Sequence, residues 1–167
     1  LVSNGNLRDA QNVDFIREVE TLKSNRGLSR LERLQLRARF PRLDTPNCAF
    51  RNTGRLGFEE VGRAWGFDVA GICPGMAVAD LDNDGDLDLY EGDCKLANQM
   101  YMNDGEGNFV NVAADQPQLQ CATVRTKGTA FADIDNDGDL DLYVVNWGAE
   151  NKLYKNTQND GNFIKIV

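Results

Sequence analysis

The sequence has no histidine, which removes the commonest general base and the usual zinc ligand. No apolar run approaches the roughly 20 residues needed to cross a bilayer, so no membrane span is expected. The opening residues, Leu1-Val2-Ser3-Asn4-Gly5, have neither a basic start nor an apolar stretch and do not read as a signal peptide. With no initiator methionine, they suit a mature or trimmed product. No N-x-[ST] sequon occurs, so no N-linked glycan is expected. Phosphate-binding glycine loops are absent, and no nucleophile–base pair can be read without histidine. The chain is therefore not expected to be an enzyme. What remains is a globular composition, 41% hydrophobic with two tryptophans, eight phenylalanines and four tyrosines, which argues against disorder.

Charge is distributed unevenly. Residues 1–46 hold nine Lys/Arg against six Asp/Glu, a balance of +3, and residues 47–167 hold nine against twenty, a balance of −11. Ten of those twenty acids lie in two short segments, and without them the net charge of −8 would become +2. The acidity belongs to two sites rather than to a diffusely solvated surface, and it disfavours nucleic acid as a partner.

Those segments belong to a repeat. Ala79-Asp80-Leu81-Asp82-Asn83-Asp84-Gly85-Asp86-Leu87-Asp88-Leu89-Tyr90 returns as Ala132-Asp133-Ile134-Asp135-Asn136-Asp137-Gly138-Asp139-Leu140-Asp141-Leu142-Tyr143, 53 residues later. Phe50-Arg51-Asn52, Tyr101-Met102-Asn103 and Tyr154-Lys155-Asn156 recur at offsets of 51 and 53, each followed by a segment ending in an alternating strand. The patterns predict strands over Gly75–Ala79, Leu87–Gly92, Gln99–Asn103 and Asn108–Ala113, and again over Thr129–Ala132, Leu140–Asn146, Lys152–Asn156 and Asn162–Val167. The first repeat has only its last two strands. The expected fold is mainly β: tandem four-stranded antiparallel propeller-like blades, about two and a half of them and not closed, preceded by a helical hairpin arm. The arm is placed at 1–46 and the β-repeat region at 47–167, with units at about 47–70, 71–120 and 121–167. In the arm, Phe15, Ile16, Val19 and Leu22 mark one helix face, ended by Asn25 and Gly27. Ser29 and Glu32 form a capping-box pattern that opens a second helix, with Leu31, Leu34 and Ala38 on one side and Pro41 as its stop.

D-x-D-x-D-G-x-x-D sets carboxylates at positions 1, 3, 5 and 9, with a glycine at position 6 for the sharp turn and a backbone carbonyl at position 7. Calcium takes about six to eight oxygens, and such a loop supplies most of them. The expected ligands are Asp80, Asp82, Asp84 and Asp88 with the Asp86 carbonyl, and Asp133, Asp135, Asp137 and Asp141 with the Asp139 carbonyl, making two Ca2+ sites. Zinc does not suit oxygen-only ligands, and magnesium prefers fewer protein carboxylates. An EF-hand would place a glutamate at position 12. Glu91 stands there in the first loop and Val144 in the second, and the flanks are strand-like where an EF-hand needs helices.

Residues 47–167 resemble the FG-GAP/VCBS repeats of integrin-like propellers and of the ASPIC/UnbV family. The resemblance is carried by Phe50-Arg51-Asn52-Thr53-Gly54, Gly57-Phe58-Glu59-Glu60-Val61, Trp65-Gly66-Phe67 and the two acidic loops. It implies calcium held between the first two strands of a blade, no catalytic residues, and an adhesive, ligand-binding or structural role.

Four cysteines remain, none in a C-x-x-C pair. Cys73 precedes one strand and Cys94 follows its hairpin partner, so a Cys73–Cys94 disulfide is expected, with Cys48–Cys121 by exclusion; buried free thiols are the alternative. The even count and the calcium loops point to an extracellular or cell-surface setting. Two and a half blades cannot close a ring of roughly four to eight. The leading expectation is an extracellular, calcium-stabilised structural protein that self-assembles into a fibre, filament or surface layer through its open array and arm, as a homo-oligomer or polymer. The alternative is an adhesion or ligand-binding module, for carbohydrate or protein, from a larger β-propeller.

Overall fold

The computed structural model describes residues 11–41 and 45–157. These fall into two compact units, a helical one within 11–41 and a β one within 45–157. The strand expected over Asn162–Val167 lies outside the described residues. Among the described residues, no helix is long and apolar enough to cross a membrane.

In the helical unit, α1 (Val13–Arg26) starts where Asn12 Oδ1 accepts the Phe15 amide at 3.0 Å. It ends at Gly27, whose φ of 64° combined with ψ of 155° is a backbone conformation that glycine alone enters readily. The capping box of α2 (Arg30–Arg39) forms as the Ser29–Glu32 spacing predicts. Phe15 and Phe40 meet edge to face at 4.4 Å, and Arg39 pairs with Glu18 at 2.7 Å. The inward face of α2 differs from the expected one. Leu31 and Leu34 are exposed, and Leu36 is the buried residue. A ten-residue helix with leucines at 31, 34 and 36 offers two overlapping stripes, and the buried one holds Leu36, four residues before Phe40.

The β unit holds nine strands in three antiparallel sheets that do not close on one another among the described residues. β1 (Phe50–Gly54) and β2 (Gly57–Glu60) form the first sheet. β3 (Gly75–Ala79), β4 (Asp88–Gly92), β5 (Gln99–Asn103) and β6 (Phe109–Asn111) form the second in meander order. β7 (Arg125–Ala132), β8 (Asp141–Trp147) and β9 (Lys152–Tyr154) form the third. The strands stand where the repeat puts them. β7 is longer than expected because a register shift between Thr126 and Gly128 lets Arg125 and Thr126 go on pairing with Trp147 and Asn146.

Two apolar clusters hold successive sheets together. Ala49, Val61, Phe67, Leu89 and Tyr101 form one, with Trp65, Met76 and Phe109 against it. Tyr90, Leu142 and Val144 form the other, with Met100, Leu119, Phe131 and Tyr154. Neighbouring residues of β4, Leu89 and Tyr90, thus serve opposite clusters, and every residue of β4 is buried. A strand covered on both faces is what stacked sheets require. The second and third sheets approach closely at two glycines: a Cβ on Gly75 would lie 2.8 Å from the Gly128 Cα.

The four cysteines are free, so neither the Cys73–Cys94 nor the Cys48–Cys121 disulfide forms. The β3–β4 ladder slips by one residue beyond Gly75–Gly92, where the Cys94 amide donates to the Ile72 carbonyl at 2.8 Å. Cys94 therefore faces Ile72 instead of Cys73, and its thiol bonds the Thr126 carbonyl at 3.0 Å. The Cys121 thiol sits 3.3 Å from the Tyr154 hydroxyl. Cys73 lies in a buried polar group, accepting from the Asn47 amide at 3.3 Å and donating to Asp93 at 3.5 Å. Glu91 completes that group by accepting from Asn47. Burial, then the Glu91 charge, pushes the Cys73 thiol well up, so it is not a thiolate. Burial likewise raises Glu91.

Arg55 and Leu56, between β1 and β2, both adopt positive φ, 52° and 61°, a turn that prefers Asn-Gly. Leu56 is 91% exposed, so Leu56→Gly removes strain at almost no cost in burial. It should raise stability by about 0.5–1 kcal/mol, and an unshifted melt would show that the turn is unstrained. Glu91, with its raised folded pKa, holds more protons folded than unfolded, so its contribution to stability falls as pH rises from the ordinary glutamate range through that pKa. Glu91→Gln should flatten the fall of the melting midpoint as pH rises above the ordinary glutamate range, and raise the midpoint at the alkaline end of that fall. A steeper dependence would contradict the burial of a titrating carboxyl.

Candidate metal centre

Each acidic segment is the turn of a hairpin, closed by the pairs Ala79–Asp88 in β3–β4 and Ala132–Asp141 in β7–β8. The two turns are built alike. Asn83 and Asn136 take φ near +60°, 59° and 63°, and Gly85 and Gly138 take 97° and 102°. Asparagine tolerates the left-handed region and glycine enters it freely, so the Asn-Asp-Gly order is what lets the backbone fold back on itself. The turned backbone aims its amides at the carboxylates. Gly85 donates to Asp80 Oδ2 at 3.0 Å and Asp86 to Asp84 Oδ1 at 2.9 Å. In the second turn, Gly138 donates to Asp133 at 3.2 Å and Asp139 to Asp137 at 3.1 Å.

The ninth position does a different job. Asp88, fully buried, accepts the Leu81 amide and the Asn103 amide, each at 2.9 Å. Asp141 accepts the Ile134 amide at 3.1 Å and the Asn156 amide at 2.9 Å. These aspartates tie the turn to the third strand of the sheet, so the acidic loop is anchored at two points rather than hanging from a hairpin.

Of the ten expected ligand residues, the fold gathers Asp80, Asp82 and Asp88 in the first loop, and Asp133, Asp135 and Asp137 in the second, with one oxygen of each within 4.8 Å of the others. Asp84 and Asp141 stand outside these tight groups. Asp86 and Asp139 were expected to offer carbonyls, and they follow the turning glycines as that role requires. In the first loop, Asp80 Oδ1 and Asp82 Oδ1 are buried without a hydrogen-bond partner. Such orphaned acceptors cost about 1–3 kcal/mol apiece, and more when charged. Burial, then the Asp84 charge, raises Asp82, and burial raises Asp88 despite its two amide donors. An oxygen-only set of this kind, dry and crowded with like charge, fits a hard cation.

The second loop is more open, and Lys155 contacts it, pairing with Asp135 and, at 3.1 Å, with Asp137. The Asp139 amide and then Lys155 hold Asp137 below the usual carboxylate range.

One recurring feature went unread in the sequence. Asn47, Asn98 and Asn151 each open an N-x-x-[FY]-x-N pattern. Asn98 accepts the Asp93 amide and donates to the Tyr90 hydroxyl, both at 2.8 Å. Asn151 accepts the Asn146 amide at 3.0 Å and donates to the Tyr143 hydroxyl at 2.9 Å. The first asparagine closes the turn before the third strand, and the second supplies the amide that grips the ninth-position aspartate. The spacing was available as a signal, three times over.

Residues 92–144 match the family model described as an FG-GAP-like repeat. The chain carries an FG-GAP-type repeat. The matched FG-GAP stretch runs from the end of β4 into β8 and contains the second acidic loop whole; the first loop lies before it. The chain is also 26% identical, over 87 residues, to cartilage acidic protein 1 of Xenopus tropicalis. That alignment covers 52% of this chain and 13% of the relative, so the chain spans a small part of the relative's length.

The two kinds of aspartate should respond oppositely when divalent ions are chelated. Asp88→Asn places an amide against a backbone N–H and should destabilise by about 2 kcal/mol. Asp82→Asn removes charge from a crowded group and should leave the melt unchanged or raise it. Denaturant unfolding of both variants checks this, and equal losses would show that the loop does not divide its aspartates between anchoring and charge.

Proposed function

We propose that the chain is an extracellular structural module in which each acidic loop holds one calcium ion, Asp80–Asp88 the first and Asp133–Asp141 the second. The observation that carries this reading is the pair of buried, unpartnered carboxylate oxygens on Asp80 and Asp82. A bound calcium ion supplies positive charge and no redox or acid–base chemistry. The chain's own residues do the rest: Asp80, Asp82 and Asp88 in the first loop and Asp133, Asp135 and Asp137 in the second gather their oxygens, and Asp88 and Asp141 also hold the turn against the third-strand side of the sheet. The FG-GAP-type repeat and the word cartilage in the relative's name agree with an extracellular or surface setting. With four free thiols, calcium rather than cystine is the staple of the β unit. No catalytic role is assigned to any residue.

The finer reading is self-assembly. Among the described residues the sheets do not close and large apolar residues such as Phe58, Val110 and Trp147 stay exposed, and the +3 segment and the −11 segment of the sequence are complementary in charge. Copies that cover one another would bury these groups. The small share of the relative that the chain spans favours a second reading, a ligand-binding or adhesive module within a longer protein. Sedimentation velocity with calcium and with chelator separates the two. Assembly predicts large species that grow with calcium and concentration. A single monomer boundary at high concentration in both buffers would overturn it.

A further inference from the structure

The two loops share a backbone but not a neighbour. In the third sheet, Leu142 pairs with Tyr154, and the next residue of the chain, Lys155, reaches Asp135 and Asp137. In the second sheet, Leu89 pairs with Tyr101 in the same register, and the next residue is Met102. A thioether neutralises no carboxylate. The consequence is visible in the loops themselves. The first keeps two buried carboxylate oxygens without partners. In the second, Asp133 and Asp135 are exposed, and Asp137 accepts the Asp139 amide at 3.1 Å and meets the lysine at 3.1 Å. The lysine thus meets two of the three carboxylates that the second loop gathers.

We propose that Lys155 makes the two calcium loops unequal: its ammonium stands where the second loop would receive the ion, so calcium must displace it, and this loop binds the ion more weakly than the first. The proposal rests on the calcium reading above. It gives the chain one site filled at low calcium and one that fills later and is more sensitive to salt, because the competing ion pair is exposed. Its strength is that of an exposed ion pair, so removing the lysine should change affinity by about two- to fivefold and no more.

Isothermal titration of the whole chain with calcium chloride is the test. Two unequal sites are expected. Lys155→Met should tighten the weaker site about two- to fivefold and leave the stronger one in place, and Met102→Lys should weaken the stronger one. Lys152→Met, which removes an equal charge from the same strand, should change neither site. Melting of each variant in chelator, with Lys155→Gln as a second replacement, shows that the fold is kept. Absence of calcium heat from every variant would overturn the calcium reading itself. Two sites with affinities untouched by Lys155→Met and Lys155→Gln, or tightened equally by Lys152→Met, would overturn the role of Lys155 and leave that reading standing.

Discussion

Five aspartates in nine residues must share one hairpin turn, and the β unit is arranged around that repulsion. The turn cannot simply spread, because Asp88 and Asp141 each accept one amide from within the turn, Leu81 or Ile134, and one from the third-strand side, Asn103 or Asn156. Backbone amides absorb part of the charge at Asp80, Asp84, Asp133 and Asp137. In the first loop they leave two buried oxygens unanswered. A fold that held such a loop without a counter-charge would carry a standing cost at its most constrained turn, which is why the loop is best understood as half of a site.

The sheets give the turn its rigidity. β4 begins at Asp88 and is buried along its whole length between the two apolar clusters. Any shift in the loop therefore works directly against Leu89 and Tyr90, whose side chains serve opposite sides. The asparagine clasps at Asn98 and Asn151 close the other end of the same strands by holding Tyr90 and Tyr143. Loop, strand and clasp recur as one unit, so the repeat is a repeat of mechanics as well as of sequence.

Much of this was legible in the residues. The Asp-Asn-Asp-Gly spacing located both turns, because glycine and asparagine are needed there for backbone reasons and aspartate for charge. Alternation and turn residues placed the strands, and Ser29 with Glu32 placed the start of α2. What stayed hidden depended on contacts between elements. Which leucine of α2 is buried, Leu36 rather than Leu31 or Leu34, is not set by the spacing of the helix itself. The cysteine pairing failed because a one-residue slip beyond Gly92 turns Cys94 away from Cys73. The reach of Lys155 into the second loop follows from the β8–β9 register, which the repeat implied but a linear reading did not exploit.

The central claim is that a cation completes the acidic turns and thereby the β unit. Thermal unfolding of the chain in excess calcium and in chelator tests it most directly. Binding at about a hundredfold above the dissociation constant stabilises by roughly 2.7 kcal/mol, so the midpoint should rise by about 10 °C in calcium. The same midpoint in both buffers would contradict it.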